Sequence, residues 1–291
     1  MIKTSTTLFA VIGDPIAHSL SPLMQNWLIN HFKIDAAYVA FHVNTTQLEH
    51  CLNGIKAFNM GGINVTVPHK ERVLKFVDKK SREVELLGAA NTLKPENGSI
   101  TAYVTDPFGF IESLEEKKSR FEHATVLMFG AGGAAKSVVY ALSQLNINKL
   151  IIADIIKEKA DSLVATAIQN YKIPHAVTAQ TEHINDYINE STIIINATAV
   201  GMLPHTERSV LSDYSAITNR HFVYDLIYNP GLTTLMRKSQ QRGAAVQNGL
   251  DMLIFQGLQS LRIWLNEEYD LKGAALNELK AIMNQELGLY E

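Results

Sequence analysis

A chain of 291 residues with 46% apolar and 19% charged residues has the balance of an ordinary globular protein, and its length suggests two domains. Its 26 basic and 29 acidic side chains give a net charge of -3, with no basic block, aromatic-basic interleaving or zinc-ligand spacing, which argues against nucleic-acid binding and a metal site. The one cysteine, Cys51, excludes an intrachain disulfide, and no apolar stretch has the length to cross a bilayer or the form of a signal peptide, so a cytoplasmic protein without membrane association is expected.

The first third alternates strand and helix: a strand over Leu8 to Ile12, a helix from Pro22 to Phe32, a strand from Tyr38 to Val43, a helix ending near Phe58 and a strand from Gly62 to Val67. Strands separated by helices of that length require right-handed crossovers and a mostly parallel sheet, hence an α/β domain. Polar clusters interrupt the pattern. Gly13 to Pro22 carries Ser19 and Ser21 just before a helix; Ser21 followed by Pro22 reads as an N-cap with proline in the first turn, whereas Ser19 has no such local explanation. Asn64-Val65-Thr66-Val67-Pro68-His69-Lys70 alternates polar side chains at a strand end and presents Lys70 at a predicted helix start, where the helix dipole disfavours a cation. His69 is a second acid–base candidate. Asn91 precedes an Asn97-Gly98 turn that predicts a hairpin. Asp106-Pro107 then closes a strand and reads as a helix N-cap.

The middle of the chain carries the strongest motif. Thr125 to Asp154 runs from an apolar strand through Gly130-Ala131-Gly132-Gly133-Ala134-Ala135 into an amphipathic helix and a second apolar strand ending on an acid. This is G-x-G-x-x-[G/A] in the strand-to-helix context that a dinucleotide fingerprint requires. Gly130 permits the tight turn, Gly132 lets backbone approach a pyrophosphate, and the helix N-terminus faces the phosphates. Asp154 falls near the interval of roughly 20 residues at which an acid binds an adenosine ribose, so it favours NAD over NADP; Lys157 and Lys159 stand nearby. Further on, the strand Ile193 to Ile195 ends in Asn196-Ala197-Thr198-Ala199-Val200-Gly201-Met202, a turn expected beside the cofactor. A strand over Phe222 to Leu226 leads to the Tyr228-Asn229-Pro230-Gly231 turn and a helix over Leu232 to Arg242. Gly249 to Leu265 predicts a long helix with Leu250, Leu253, Ile254, Leu258, Leu261, Trp264 and Leu265 on its apolar stripe and Gln256 on the flank.

Taken in order, GDPIAHSLSP, NVTVPHK, GAANT, VTD, GAGGAAK, NATAVGM, VYDLIYNPGLTTL and NGLDMLIFQG resemble the shikimate dehydrogenase family over nearly the whole chain. The resemblance implies an oxidoreductase that interconverts 3-dehydroshikimate and shikimate by NAD(P)-dependent hydride transfer, on the pathway to chorismate and aromatic amino acids. It implies an N-terminal substrate domain, residues 1–106, to which helices of 249–291 return, and a Rossmann domain, residues 107–248. It makes Lys70 and Asp106 the catalytic pair. Ser19 and Ser21 bind the substrate carboxylate with Tyr228 near it, and Thr66, Asn91 and Gln256 bind ring hydroxyls. Thr198, Met202 and Gly249 line the nicotinamide side. Alcohol oxidation requires the hydroxyl proton to leave as hydride moves, and a base in hydrogen-bond reach assists it; that role is given to Lys70, with Asp106 orienting.

The sequence departs from the family pattern at three places. Val104 and Pro107 stand where asparagine and glycine are usual, so the loop carrying Asp106 differs; Asp251 replaces a common glycine. Asp154-Ile155-Ile156 replaces the Asn-Arg-Thr clamp of NADP-dependent members, in agreement with the preference for NAD read from Asp154. Two alternatives stay open: an NAD-dependent quinate/shikimate dehydrogenase paralogue, and a non-catalytic dinucleotide-binding regulator. A monomer or homodimer acting on a small molecule is expected.

Overall fold

The computed structural model describes residues 2–288, without the side chains of Glu116 and Thr181; Met1 and residues 289–291 of the expected returning stretch lie outside the described residues. The chain divides into two compact units, one made of residues up to Gly109 with Ile254–Met283, the other of Phe110–Leu253 with the residues after Met283. Among the described residues no helix is long and apolar enough to cross a membrane.

In the first unit the apolar run Thr7–Gly13 forms β1. It is followed by α1 (Ser21–His31), β2 (Ala36–His42), α2 (Leu48–Ala57), β3 (Gly62–Val65), a two-residue β4 (Lys79–Lys80), α3 (Arg82–Leu87), β5 (Thr92–Glu96), β6 (Ser99–Tyr103) and the start of α4 (Asp106–Ser113). These strands make one sheet in the order β2-β1-β3-β5-β6-β4. β1 pairs parallel with β2 and β3, as helical crossovers require, and pairing turns antiparallel at β3/β5 and β5/β6. Asn97 and Gly98 close the β5–β6 hairpin, both at positive φ, the conformation that a two-residue hairpin loop demands. Ile12, Leu52, Ile63, Val65 and Leu93 form the buried core on one face.

Three local expectations give way to other solutions. α1 begins at Ser21 itself, with Leu20 in the cap position and no side-chain cap. The orphan N–H of Ser21 instead donates to the Ser19 hydroxyl at 3.3 Å, and Pro22 has no N–H to satisfy. No α-helix begins at Lys70; the segment makes only a 3-10 turn over Arg72–Lys75 before the chain returns to the sheet at β4, so the dipole argument does not apply there. Asp106 is not the cap of α4 but its first residue, which leaves Thr105 in the preceding position.

The second unit contains β7 (Thr125–Phe129), α5 (Gly133–Leu142), β8 (Lys149–Ala153), α6 (Lys157–Gln169), β9 (Ala176–Thr178), α7 (Ile184–Glu190), β10 (Ile193–Asn196), β11 (Phe222–Asp225), α8 (Thr234–Gln241) and β12 (Ala245–Gln247); α9 (Leu250–Leu265) and α10 (Gly273–Glu286) complete the chain. The strand order is β12-β11-β10-β7-β8-β9 and every pairing is parallel, a doubly wound sheet whose order reverses between β7 and β10. On α9, Leu250, Ile254, Leu258, Leu261 and Trp264 are buried as the stripe predicts, while Leu253 and Leu265 are half-buried.

Gly249 immediately precedes α9, at a position where a Cβ would lie 2.0 Å from the Leu226 carbonyl oxygen. Gly249→Ala therefore forces backbone apart and is expected to cost about 1–3 kcal/mol, read as a lowered melting temperature. An unchanged melting temperature contradicts this close approach.

Candidate active site

In the first unit, the turn after β3, the start of β5, the start of α4 and α9 bring four expected residues together. The Lys70 ammonium donates to Asp106 Oδ2 at 2.7 Å; the Asp106 side chain is 13% exposed and that of Lys70 34%, so the pair is sheltered yet reachable. Asn91 Nδ2 donates to Asp106 Oδ1 at 2.8 Å and to Gln256 Oε1 at 3.1 Å. The orientation of that amide is dictated from behind, because Asn91 Oδ1 accepts the Thr105 N–H at 2.8 Å. The Lys70 carbonyl accepts the Ala90 N–H at 2.8 Å, which ties the lysine turn to the segment carrying Asn91.

The remaining expected residues of this unit lie on adjoining loops. Thr66 follows β3 and its N–H donates to the Ile12 carbonyl, while the Asp14 N–H donates to the Val67 carbonyl. The segment carrying Thr66 is thereby bonded to the loop that leads to Ser19 and Ser21, all three of which are half-buried. His69 is fully buried, with Nε2 2.6 Å from the Val43 carbonyl and Nδ1 without a hydrogen-bond partner. A carbonyl only accepts, so Nε2 carries the proton; the ring anchors the turn and is not an accessible acid–base group.

In the second unit Gly130 adopts φ +104°, and a Cβ there would sit 2.9 Å from the Ala197 carbonyl oxygen, so glycine is required on both counts. Ala131, Gly132, Gly133 and Ala134 make the turn into α5, whose first turn has no side-chain cap. Asp154, just past β8, accepts the Ala131 N–H on Oδ2 at 2.7 Å and the Ile156 N–H on Oδ1 at 2.8 Å. Beside them opens a cavity of about 640 Å³ bordered by Gly130, Gly132, Asp154, Ile155, Lys159 and Thr198, where the strand order reverses. The cavity, the glycine turn and the uncapped helix suit a dinucleotide phosphate. Lys157 is engaged by Asp161 at 2.7 Å, which leaves Lys159 as the lysine that borders the cavity. Met202, Tyr228 and Gly249 do not border it; Met202 is 46% exposed and burial pushes the Tyr228 phenol up.

The loop carrying Thr198 is built on a residue that sequence reasoning missed. Asp225, buried at the end of β11, accepts Asn196 Nδ2 at 3.0 Å, the Ile227 N–H at 3.1 Å and the Thr233 hydroxyl at 2.7 Å. Asn196 Oδ1 in turn accepts the Thr198 N–H and hydroxyl. The visible signal was an acid closing an apolar strand, Phe222-Val223-Tyr224-Asp225, in parallel with Asp154 closing β8. Burial outweighs these bonds and pushes the Asp225 carboxyl up to about 6 from 3.8. A raised acid contributes stability that is present below the unfolded value and lost as pH rises through the folded one, here between pH 3.8 and about 6. Asp225→Asn mimics the protonated form and removes that dependence. The stability of the natural chain relative to the variant is expected to fall by about 2 kcal/mol from pH about 4 to about 7. Chemical denaturation of both at the two pH values measures it, and a difference that does not move with pH contradicts it.

Comparisons with known proteins bear on both units. Residues 11–93 match the model of the shikimate dehydrogenase substrate binding domain, and residues 112–228 match that of shikimate / quinate 5-dehydrogenase. The shikimate dehydrogenase (NADP(+)) of Caldanaerobacter subterraneus subsp. tengcongensis is 37% identical over 269 residues, 92% of this chain and 95% of that protein. Among solved structures, shikimate 5-dehydrogenase from Listeria monocytogenes in complex with shikimate and NAD is 30% identical with a TM-score of 0.88, covering 97% of this chain and 98% of that one. Quinate dehydrogenase from Corynebacterium glutamicum in complex with NAD is 26% identical with a TM-score of 0.85, covering 98% and 99%.

Proposed function

Since the chain belongs to the shikimate dehydrogenase family, we propose that it is the oxidoreductase that interconverts shikimate and 3-dehydroshikimate with a nicotinamide dinucleotide. The observation that carries this is the hydrogen-bonded cluster of Lys70, Asp106 and Asn91, a proton carrier and two oriented polar groups in a sheltered site. A pure dinucleotide sensor has no use for such a pair, which favours the enzyme over a regulator.

In this reading the dinucleotide, when bound, supplies the hydride acceptor, and Gly130, Ala131, Gly132, Gly133, Ala134 and Asp154 hold it, with Thr198, Met202 and Gly249 toward the nicotinamide. Ser19, Ser21 and Tyr228 take the substrate carboxylate, and Thr66, Asn91 and Gln256 take the ring hydroxyls. In oxidation Lys70, as the neutral amine, takes the proton of the reacting hydroxyl on Nζ and becomes the ammonium, and in reduction that ammonium returns it, while Asp106, bonded to both Lys70 and Asn91, fixes the direction of that transfer. The domain roles belong to the same proposal: residues 1–106 with 249–291 for substrate, 107–248 for the dinucleotide.

NAD is the preferred cofactor in this reading. A ribose hydroxyl can donate to the Asp154 carboxylate, whereas a 2′-phosphate meets its negative charge, and Ile155, 99% exposed, offers no cation in compensation. Identification of the product tests the activity. Shikimate incubated with the purified chain and NAD⁺ should yield 3-dehydroshikimate and one reduced nicotinamide per turnover; quinate as the only alcohol oxidised would move the reading to the quinate branch, and dinucleotide binding without turnover of either would move it to a regulator.

A further inference from the structure

Beneath the Asn91 cluster the first unit buries a set of polar side chains that the proposed chemistry does not use. Asn64 on β3, Thr92 on β5 and Ser260 on α9 are at most 8% exposed, and Tyr38 on β2 is 2% exposed. Burying such groups is unfavourable unless each finds a partner, and an apolar set of the same volume packs at least as well, so their presence asks for a purpose beyond stability.

Their hydrogen bonds have a fixed direction. The Asn91 carbonyl can only accept, so Asn64 presents Nδ2 to it at 3.1 Å and also reaches Ser260 Oγ at 2.9 Å. Asn64 Oδ1 therefore faces Tyr38 and accepts its hydroxyl at 2.7 Å. Ser260 donates onward to the Gln256 carbonyl at 3.0 Å and lies 2.8 Å from the Thr92 hydroxyl. Thr92 accepts Asn64 Nδ2 at 3.2 Å and donates to Asn91 Oδ1 at 3.2 Å, so the branch to Asn91 runs from Asn64 through Thr92. The chain starts at a tyrosine remote from the site and ends on Asn91 and on the helical turn that carries Gln256.

We propose that Tyr38, Asn64 and Ser260 are positioning residues: a buried, directed hydrogen-bond chain that sets the amide of Asn91 and the height of Gln256, and through Asn91 the aim of the Asp106 carboxylate. The inference rests on the proposed role of Asn91 and Gln256 in holding ring hydroxyls. Its effect falls on the alcohol substrate and not on the dinucleotide.

The test compares Tyr38→Phe and Ser260→Ala with the natural chain. Each is expected to lower kcat/KM for shikimate about tenfold, with the KM for the dinucleotide changed less than about twofold. The double variant should be little worse than the poorer single one, because both interrupt one chain. Ser260→Thr keeps the hydroxyl and should restore most of the loss. Variants that melt lower while keeping kcat/KM well below their melting temperature overturn the proposal and leave a packing role only. A crystal structure of Ser260→Ala decides the point without catalysis: Asn91 and Gln256 should shift or turn, and unchanged positions overturn the proposal. If the natural chain oxidises neither shikimate nor quinate, the functional reading has failed, and this crystallographic outcome still settles the positioning claim.

Discussion

Lys70→Ala is expected to lower kcat for shikimate oxidation by about a thousandfold, within the range for loss of a positioned proton-transfer group, while KM for shikimate changes far less. The expectation follows from the division of labour in the cluster. Asp106 has each oxygen engaged, one by Lys70 and one by Asn91, which suits an orienting group. Lys70 is the more exposed partner and Asp106 engages one of the three positions on its Nζ, so the nitrogen can exchange a proton with a substrate hydroxyl, taking it as the amine in oxidation and returning it as the ammonium in reduction. Asp106→Asn keeps an acceptor for one neighbour and should reduce kcat less than Lys70→Ala does. If Lys70→Ala retained most of its kcat while Asp106→Asn lost it, the roles would be reversed.

The second large effect concerns the cofactor. Asp154→Asn combined with Ile155→Arg should raise kcat/KM for NADP⁺ by roughly a hundredfold and lower it for NAD⁺, since it removes a like charge and adds a charge-assisted donor for the 2′-phosphate. A cost accompanies the change: Asp154 accepts two backbone N–H groups that shape the fingerprint turn, and an asparagine oxygen satisfies one of them fully. Lys159→Ala provides the control, because that lysine borders the cavity and is the cation expected to attract a 2′-phosphate there. Its loss should depress the use of NADP⁺ more than of NAD⁺. A double variant that keeps the original cofactor ratio contradicts the specificity role of Asp154.

The doubly wound sheet was legible because its signals are local: an apolar strand, a glycine turn and a helix repeat within short windows, and β7, α5 and β8 fall where periodicity places them. The short elements were not. α7 and β12 are seven and three residues long and carry too few turns or alternations to register. The helix expected after Lys70 failed because that reading rested on one turn of sequence, and the chain re-enters the sheet at β4 before a second turn can form.

The site was legible only in part for a different reason. Lys70, Asn91, Asp106 and Gln256 stand on four separate segments, and nothing in their spacing says that they meet; a family resemblance joined them where periodicity could not. Of the groups bonded behind them, Asn64 stood out only as part of the alternating polar run before Lys70, and nothing local marked Thr92, Thr105 or Ser260 as its partners or those of Asn91, because a buried network leaves no local pattern. Asp225 escaped for the same cause, being an acid whose partners lie on β10, in the segment after β11 and just before α8.

Initial rates for the purified chain with shikimate and with quinate, each paired with NAD⁺ and with NADP⁺, test the central claim most directly. Shikimate with NAD⁺ should give the highest kcat/KM of the four pairings. A preference for NADP⁺ would leave the enzyme standing and contradict the role given to Asp154, and an absence of turnover in all four would contradict the function proposed for the Lys70–Asp106 pair.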